Sequence, residues 1–289
     1  LISLFFSNLY NLFIEASSII AALLTFKYTV MKSIFYWMML IPFLVFSQNQ
    51  SDNNEEYLIV GSTIFSAKSD KIKEFSEGMK NHNEQFHAEG AMGVRIFTIM
   101  NGQNAYDYMA VIGPMPWSAF DEASPTQEAH DEDWTNNVIP YLESEEEVTF
   151  WRFHNNLSHF PSNFEMSKLR VSVWDIARGK YEDMVSKLEM VTGVLKEKSP
   201  ETPFAIYTNE FSSTNSGQDL SVVYFFDDFA WLGKDQKLKE KFEEVHGAGS
   251  FNSFTQDWMN ITNGASQELW VYNQNLSGIG PQVTTSTED

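Results

Sequence analysis

Cysteine is missing from all 289 residues. Its absence excludes disulfides, thiolate nucleophiles, zinc ribbons and iron–sulfur clusters. Basic side chains are scarce: 19 lysines and arginines stand against 39 acidic residues, a formal net charge of -20. A nucleic-acid or anionic-membrane surface needs a basic footprint that this balance does not supply, so no nucleic-acid partner is expected. Phosphate-cradling and nucleophile motifs are missing too: no GxGxxG follows a strand, and neither a P-loop nor a Gly-x-Ser-x-Gly elbow occurs. The acidic runs 131–133 and 143–147 lack the glycine-punctuated spacing of an EF-hand and read as a solvated face. No metal site and no cofactor is therefore expected. What the chain has in quantity is apolar and aromatic, 43% hydrophobic with 15% aromatic residues. Such a composition belongs to a packed protein and not to a disordered acidic tail.

The first 47 residues read as separate from the fold. Residues 1–30 begin at Leu1 and are expected to be an upstream extension. Met31 then opens a stretch with Lys32 as its positive start, an apolar run from Ile34 to Phe46, and Ser47 at the boundary with the polar segment 48–56. That is the pattern of a secretory signal. The stretch resembles the signals of Bacteroidetes, which predicts cleavage near Ser47–Gln48 and a periplasmic or secreted protein. The rival reading is a two-helix anchor. However, Glu15 and Lys27 interrupt the first apolar stretch, and the second spans 16 residues, against about 20 needed to cross a bilayer. No stable membrane insertion of the mature chain is expected.

The rest of the chain repeats one pattern. Residues 150–158, carrying Trp151, match 269–277, carrying Trp270; Asp133-Trp134 matches Asp257-Trp258; Trp117 and Trp231 each follow an apolar run. Three matched tryptophans are a strong signal in a chain with eight. Each copy reads β-α-β-β-α-β from its β-branched runs, helical apolar spacing and Gly/Pro/Asn punctuation. The boundaries are 57–160 for the first unit, 161–167 for a linker, 168–278 for the second unit and 279–289 for a disordered tail. Gly113-Pro114 is expected to break the third strand. A β-α-β-β-α-β unit is the ferredoxin-like split. Its helices cover one sheet face, so the other face must be buried by a second sheet. The predicted class is α+β, two tandem ferredoxin-like units packed sheet to sheet as a pseudo-dimeric α/β barrel. On element order, duplication and the aromatic last strand, the chain resembles the dimeric α/β-barrel superfamily, which includes antibiotic-biosynthesis-monooxygenase-like domains. A tandem chain completes its own barrel, so monomer and homodimer are both compatible with it.

Candidate chemistry follows from few residues. His82 and His87 are five apart on the first helix, a spacing that points them away from one another and reads as surface histidines. His130 and His246 follow the matched Trp117 and Trp231, each two residues after a glutamate, and are candidates for a general base; the alternative is a helix-end histidine favoured by the dipole. On the last strand of unit one, alternation places Arg152 and His154 on one face and Trp151 and Phe153 on the other. Either the aromatic face lines the barrel, or Arg152 and His154 form a cationic site there. Trp134, Trp151, Trp258 and Trp270 are candidates for a ligand pocket, or are core. The resemblance implies a small apolar or aromatic ligand and, at its strongest, cofactor-independent oxygenase-like chemistry. Two alternatives stand beside it, a non-catalytic binding or stress-related module with a filled core, and a haem-binding protein. Some haem-degrading members use an Asn–Trp–His set, for which no matching trio can be placed here.

Overall fold

The computed structural model describes residues 56–284 apart from 122–125, 144–146, 162 and 214. The expected extension, signal and cleavage point lie outside the described residues. The first half runs β1 (Leu58–Phe65), α1 (Ile72–Phe86), β2 (Val94–Ile99), β3 (Tyr108–Pro116), α2 (Gln127–Asn137) and β4 (Glu147–Phe153). A short β5 (Asn163–Glu165) follows. The second half is β6 (Lys168–Ile176), α3 (Tyr181–Lys198), β7 (Phe204–Asn209), β8 (Leu220–Phe226), α4 (Leu238–His246), α5 (Ser250–Ile261) and β9 (Thr262–Tyr272), with β10 (Gln282–Thr284) after it. Each half is the expected β-α-β-β-α-β unit, with one helix more in the second.

Eight strands close into a barrel in the order β1-β3-β2-β9-β6-β8-β7-β4, β4 pairing back onto β1. The halves meet at two equivalent seams. Phe97, Thr98 and Ile99 of β2 pair with Tyr272, Val271 and Trp270 of β9, and Trp151, Arg152 and Phe153 of β4 pair with Asn209, Thr208 and Tyr207 of β7. Closure removes the open edges that a single unit would expose. The period of two along each strand then sorts the side chains. Inward-facing Phe97, Leu169, Val171, Val223, Phe225 and Trp270 form one core inside the barrel. Outward residues meet the helices in two further cores. Phe65, Ile96 and Ala110 pack with Phe75 and Met79 of α1. Ile206 and Leu220 pack with Met184 and Leu188 of α3. The matched tryptophans occupy matched places, Trp151 and Trp270 on last strands and Trp134 and Trp258 on the covering helices.

Two local expectations are corrected. β3 does not end at Gly113-Pro114 but continues to Pro116, because Gly113 takes φ +90 and the register against β1 shifts between Ile59 and Gly61. Glycine absorbs this bulge at little cost, whereas a Cβ there would lie 2.8 Å from the Ile59 carbonyl oxygen. The segment 279–289, expected to be a disordered tail, contributes β10, which pairs with β5 inside the expected linker. It is held by Arg95, whose guanidinium donates to the Gly280 and Gln282 carbonyls. No helix among the described residues is long and apolar enough to cross a membrane.

Candidate functional site

The barrel is not filled. A cavity of about 600 Å3 lies within it. Its walls carry Val60, Ile64, Met109, Val111, Leu169, Val171, Val173, Val223 and Phe225, together with Trp151 and Trp270. Both indole N–H groups are committed, Trp151 Nε1 to Ser62 Oγ at 3.0 Å and Trp270 Nε1 to Glu268 Oε2 at 2.8 Å. Tyr207 also faces the cavity, and its hydroxyl has no hydrogen-bond partner among the described residues. Burial pushes that phenol up, so it stays protonated and able to donate. The polar groups gather toward one end, where the 101–107 turn, residues 215–219 and the start of β9 bring Glu147, Asp175 and Glu268 around Gly102, Gly217 and Gly264. Beyond the other end of the cavity Phe153, Phe160 and Phe164 stack against Phe225 and Tyr207. The described wall contains no lysine, arginine or histidine.

The sequence candidates are thereby divided. Trp151 and Trp270 line the cavity, whereas Trp134 and Trp258 lie in the helix layers, against Phe65 and Trp174 respectively. They are thus not one pocket. Arg152 and His154 face outward and are not part of the described cavity wall, so they form no cationic site there. Arg152 Nε donates to Glu210 Oε1 at 2.7 Å while its guanidinium lies 3.8 Å from the Tyr57 ring centroid, and His154 Nε2 is 2.8 Å from Thr208 Oγ1. The wall rewards aromatic burial, and the two ionisable groups take the face with partners.

His130 and His246 are not equivalent, and neither reaches the cavity. In the first half one helix, α2, carries both His130 and Trp134. In the second half Gly247 and Gly249, both at positive φ, divide the corresponding stretch, leaving His246 at the end of α4 and Trp258 on α5. His246 packs on the Phe242 ring. The residue one turn before Trp258, the counterpart of His130, is Phe254.

His130 has other company. The expectation of two diverging surface histidines fails at His82 and His87. His82 is buried, 1% exposed, and His87 sits at the C-cap of α1 with φ -131 and ψ 23. Having left helical geometry, His87 no longer obeys the angular rule for a spacing of five. Its backbone is pinned, N–H to Asn83 O at 3.0 Å and its carbonyl accepting from Val94 N at 3.1 Å. Its ring is thereby returned toward His82, and one ring nitrogen each of His82, His87 and His130 lies within 4.8 Å of the others. All three Nδ1 atoms have acceptors: Asp133 Oδ2 at 2.8 Å for His82, the Met92 carbonyl at 2.8 Å for His87, and Asp131 Oδ1 at 3.0 Å for His130. Phe86 and Trp134 flank the rings. A histidine on one helix and a His-x-x-Asp on another were visible in the sequence, but their convergence was not.

Burial holds His82 down to about 4, against the opposing effect of its hydrogen bond to Asp133, and lowers His87 and His154 as well. An unfolded histidine protonates near 6.5, so between pH 6.5 and 4 the unfolded chain binds more protons and stability falls as pH falls. For His82 alone the loss approaches about 3 kcal/mol. Denaturant titrations in chelator at pH 7.5, 5.5 and 4.5 should therefore show a falling midpoint. A flat profile over that range would contradict a buried, neutral His82.

No protein-family profile matches the chain, and no curated protein sequence does. Solved structures do. A protein provisionally assigned as a monooxygenase from Fusobacterium nucleatum aligns over 80% of this chain and 99% of its own, at 13% identity and a TM-score of 0.50. A chlorite dismutase from Candidatus Nitrospira defluvii aligns over 78% of this chain and 95% of its own, at 10% identity and a TM-score of 0.48. At such identities the likeness concerns fold alone. With two ferredoxin-like halves of one polypeptide closing a single eight-stranded barrel, the chain has the fold of the dimeric α/β-barrel superfamily in a tandem, single-chain form.

Proposed function

We propose that the barrel binds a small, largely apolar molecule that is neutral or cationic. The observation that carries this reading is the cavity of about 600 Å3 inside the barrel, with apolar walls, a free tyrosine hydroxyl and carboxylates but no basic residue among its described lining. Apolar walls with few polar groups are the usual make-up of a small-molecule site. Tyr207 supplies a donor to a carbonyl or ether oxygen of the ligand, and Glu147, Asp175 and Glu268 disfavour an anion at the same end.

A filled-core module does not fit the cavity. Haem fits it poorly: the described wall offers no histidine to the iron, and the haem carboxylates would meet protein carboxylates. Cofactor-independent oxygenase-like chemistry would begin with removal of a substrate proton. Neither His130 nor His246 can do that in the barrel, so the base would have to be one of the carboxylates at its polar end. Binding is accordingly the reading with the fuller support. Export completes the proposal, with the mature protein beginning near Gln48 and working in the periplasm or outside the cell.

A titration with the neutral dye N-phenyl-1-naphthylamine tests the site. One dye per chain should bind, with enhanced dye emission and quenched tryptophan emission from Trp151 and Trp270. The sulfonated analogue 8-anilinonaphthalene-1-sulfonate should bind more weakly. Failure of the neutral dye to saturate, or a preference for the anionic one, would sink the proposal.

A further inference from the structure

The histidine cluster lies outside the barrel, on the helix layer of the first half, and the proposed cavity makes no use of it. Its hydrogen bonds settle its tautomers. A neutral imidazole carries one N–H. Each Nδ1 faces an acceptor that cannot donate, a carboxylate or a carbonyl oxygen. Each Nδ1 therefore bears the proton, and each Nε2 is left as a bare lone pair.

Two of the bare nitrogens face each other, and one ring nitrogen of His82 lies within 4.8 Å of one on each of the other rings. His130 Nε2 lies 3.3 Å from His87 Nε2 with no proton available to join them. His82 Nε2 is buried and has no hydrogen-bond partner among the described residues. A buried acceptor without a donor is costly, and acceptors pointed at one another are worse. One species removes every one of these conflicts, a cation at their common focus. Two nitrogens held tetrahedrally at 2.0–2.1 Å from one ion are about 3.3 Å apart, which matches the observed pair.

The surroundings agree. Ligating histidines commonly pass their second N–H to a carboxylate or a backbone carbonyl, which sets ring orientation and raises ligand basicity. Here Asp133, Asp131 and the Met92 carbonyl stand in those places. Imidazole ligands suit zinc, copper, nickel and iron, and do not suit calcium or magnesium. His130 keeps a side-chain exposure of 28%, so the fourth position opens toward solvent.

We propose that His82, His87 and His130 bind one divalent transition cation of the zinc class through their Nε2 atoms, with a further coordination position open to water. The ion would tie the end of α1 to α2.

The test uses the untagged full-length chain, freed of metal with chelator and titrated with Co2+. One Co2+ per chain should give visible ligand-field absorption that Zn2+ abolishes by displacement, and Zn2+ should raise the thermal midpoint. His87→Ala and His130→Ala remove partly exposed ligands and should fold. Each should lose more affinity than the about 10–100-fold expected of an outer partner such as Asp133→Asn. His246→Ala and His159→Ala should bind as the parent does. Absence of a saturable Co2+ spectrum, binding unchanged in both His87→Ala and His130→Ala, or loss of binding in His246→Ala would each overturn the proposal. The dye titration reads the barrel separately, so failure of one site is distinguishable from failure of the other.

Discussion

Gly78→Ala is expected to destabilise the protein by about 2 kcal/mol and to loosen the histidine cluster at the same time. Gly78 is buried in α1, and a Cβ there would lie 1.9 Å from the carbonyl oxygen of Asn137, the last residue of α2. Backbone cannot give way as a flexible side chain does, so α2 must move. The gain in helix propensity of roughly 1 kcal/mol for alanine over glycine offsets only part of that strain. The functional consequence follows from helical spacing. His82 is four residues after Gly78, and Asp133 four before Asn137, so the close approach at Gly78 is continued on the same faces by the His82–Asp133 contact of 2.8 Å. Denaturant unfolding and Co2+ titration of this one variant should both report the displacement. Unaltered unfolding would mean the helices are not in such contact. Unaltered Co2+ binding in a destabilised protein would mean the cluster does not depend on helix spacing.

Val171→Trp is expected to lower affinity for the neutral dye about 100-fold, about 3 kcal/mol, while leaving the barrel folded. Val171 faces the cavity from β6 beside its paired neighbour Val223, and Val60 and Val111 line the space opposite. An indole placed there occupies room the ligand requires. In a tight core such an insertion costs 1–3 kcal/mol, but here the added atoms enter a void and gain contacts. The control is Tyr106→Trp, at a residue 79% exposed, which should bind as the parent does. Equal binding by Val171→Trp and the parent would place the dye outside the barrel.

Much of the architecture was legible because it rests on short-range patterns. The β-branched and aromatic runs in 58–65 and 220–226, the helical spacing in 72–86 and 181–198, and the three matched tryptophans are each expressed along the chain itself. The site was less legible. Trp151 and Trp134 were equal candidates as aromatic residues, but pleat direction turns Trp151 of β4 into the cavity, whereas Trp134 stays in the helix layer with α2. His130 and His246 looked equivalent because both follow a matched tryptophan at similar distance. Two glycines at positive φ, 247 and 249, broke that equivalence by dividing one helix into two.

By itself the sequence determined the α+β class, the duplication, the units and the absence of thiol and phosphate-loop chemistry, since these depend on residue type and local spacing. Tertiary structure decided what surrounds what. It left the barrel hollow instead of filled, kept every histidine out of the described wall, and paired the expected tail with the expected linker. It also brought His82 and His87 together with His130, across 43 positions from His87, because a single C-cap residue left helical geometry while Gly78 drew two helices into backbone contact. No periodicity encodes that meeting, since it depends on where a helix ends and on how closely another helix can approach it.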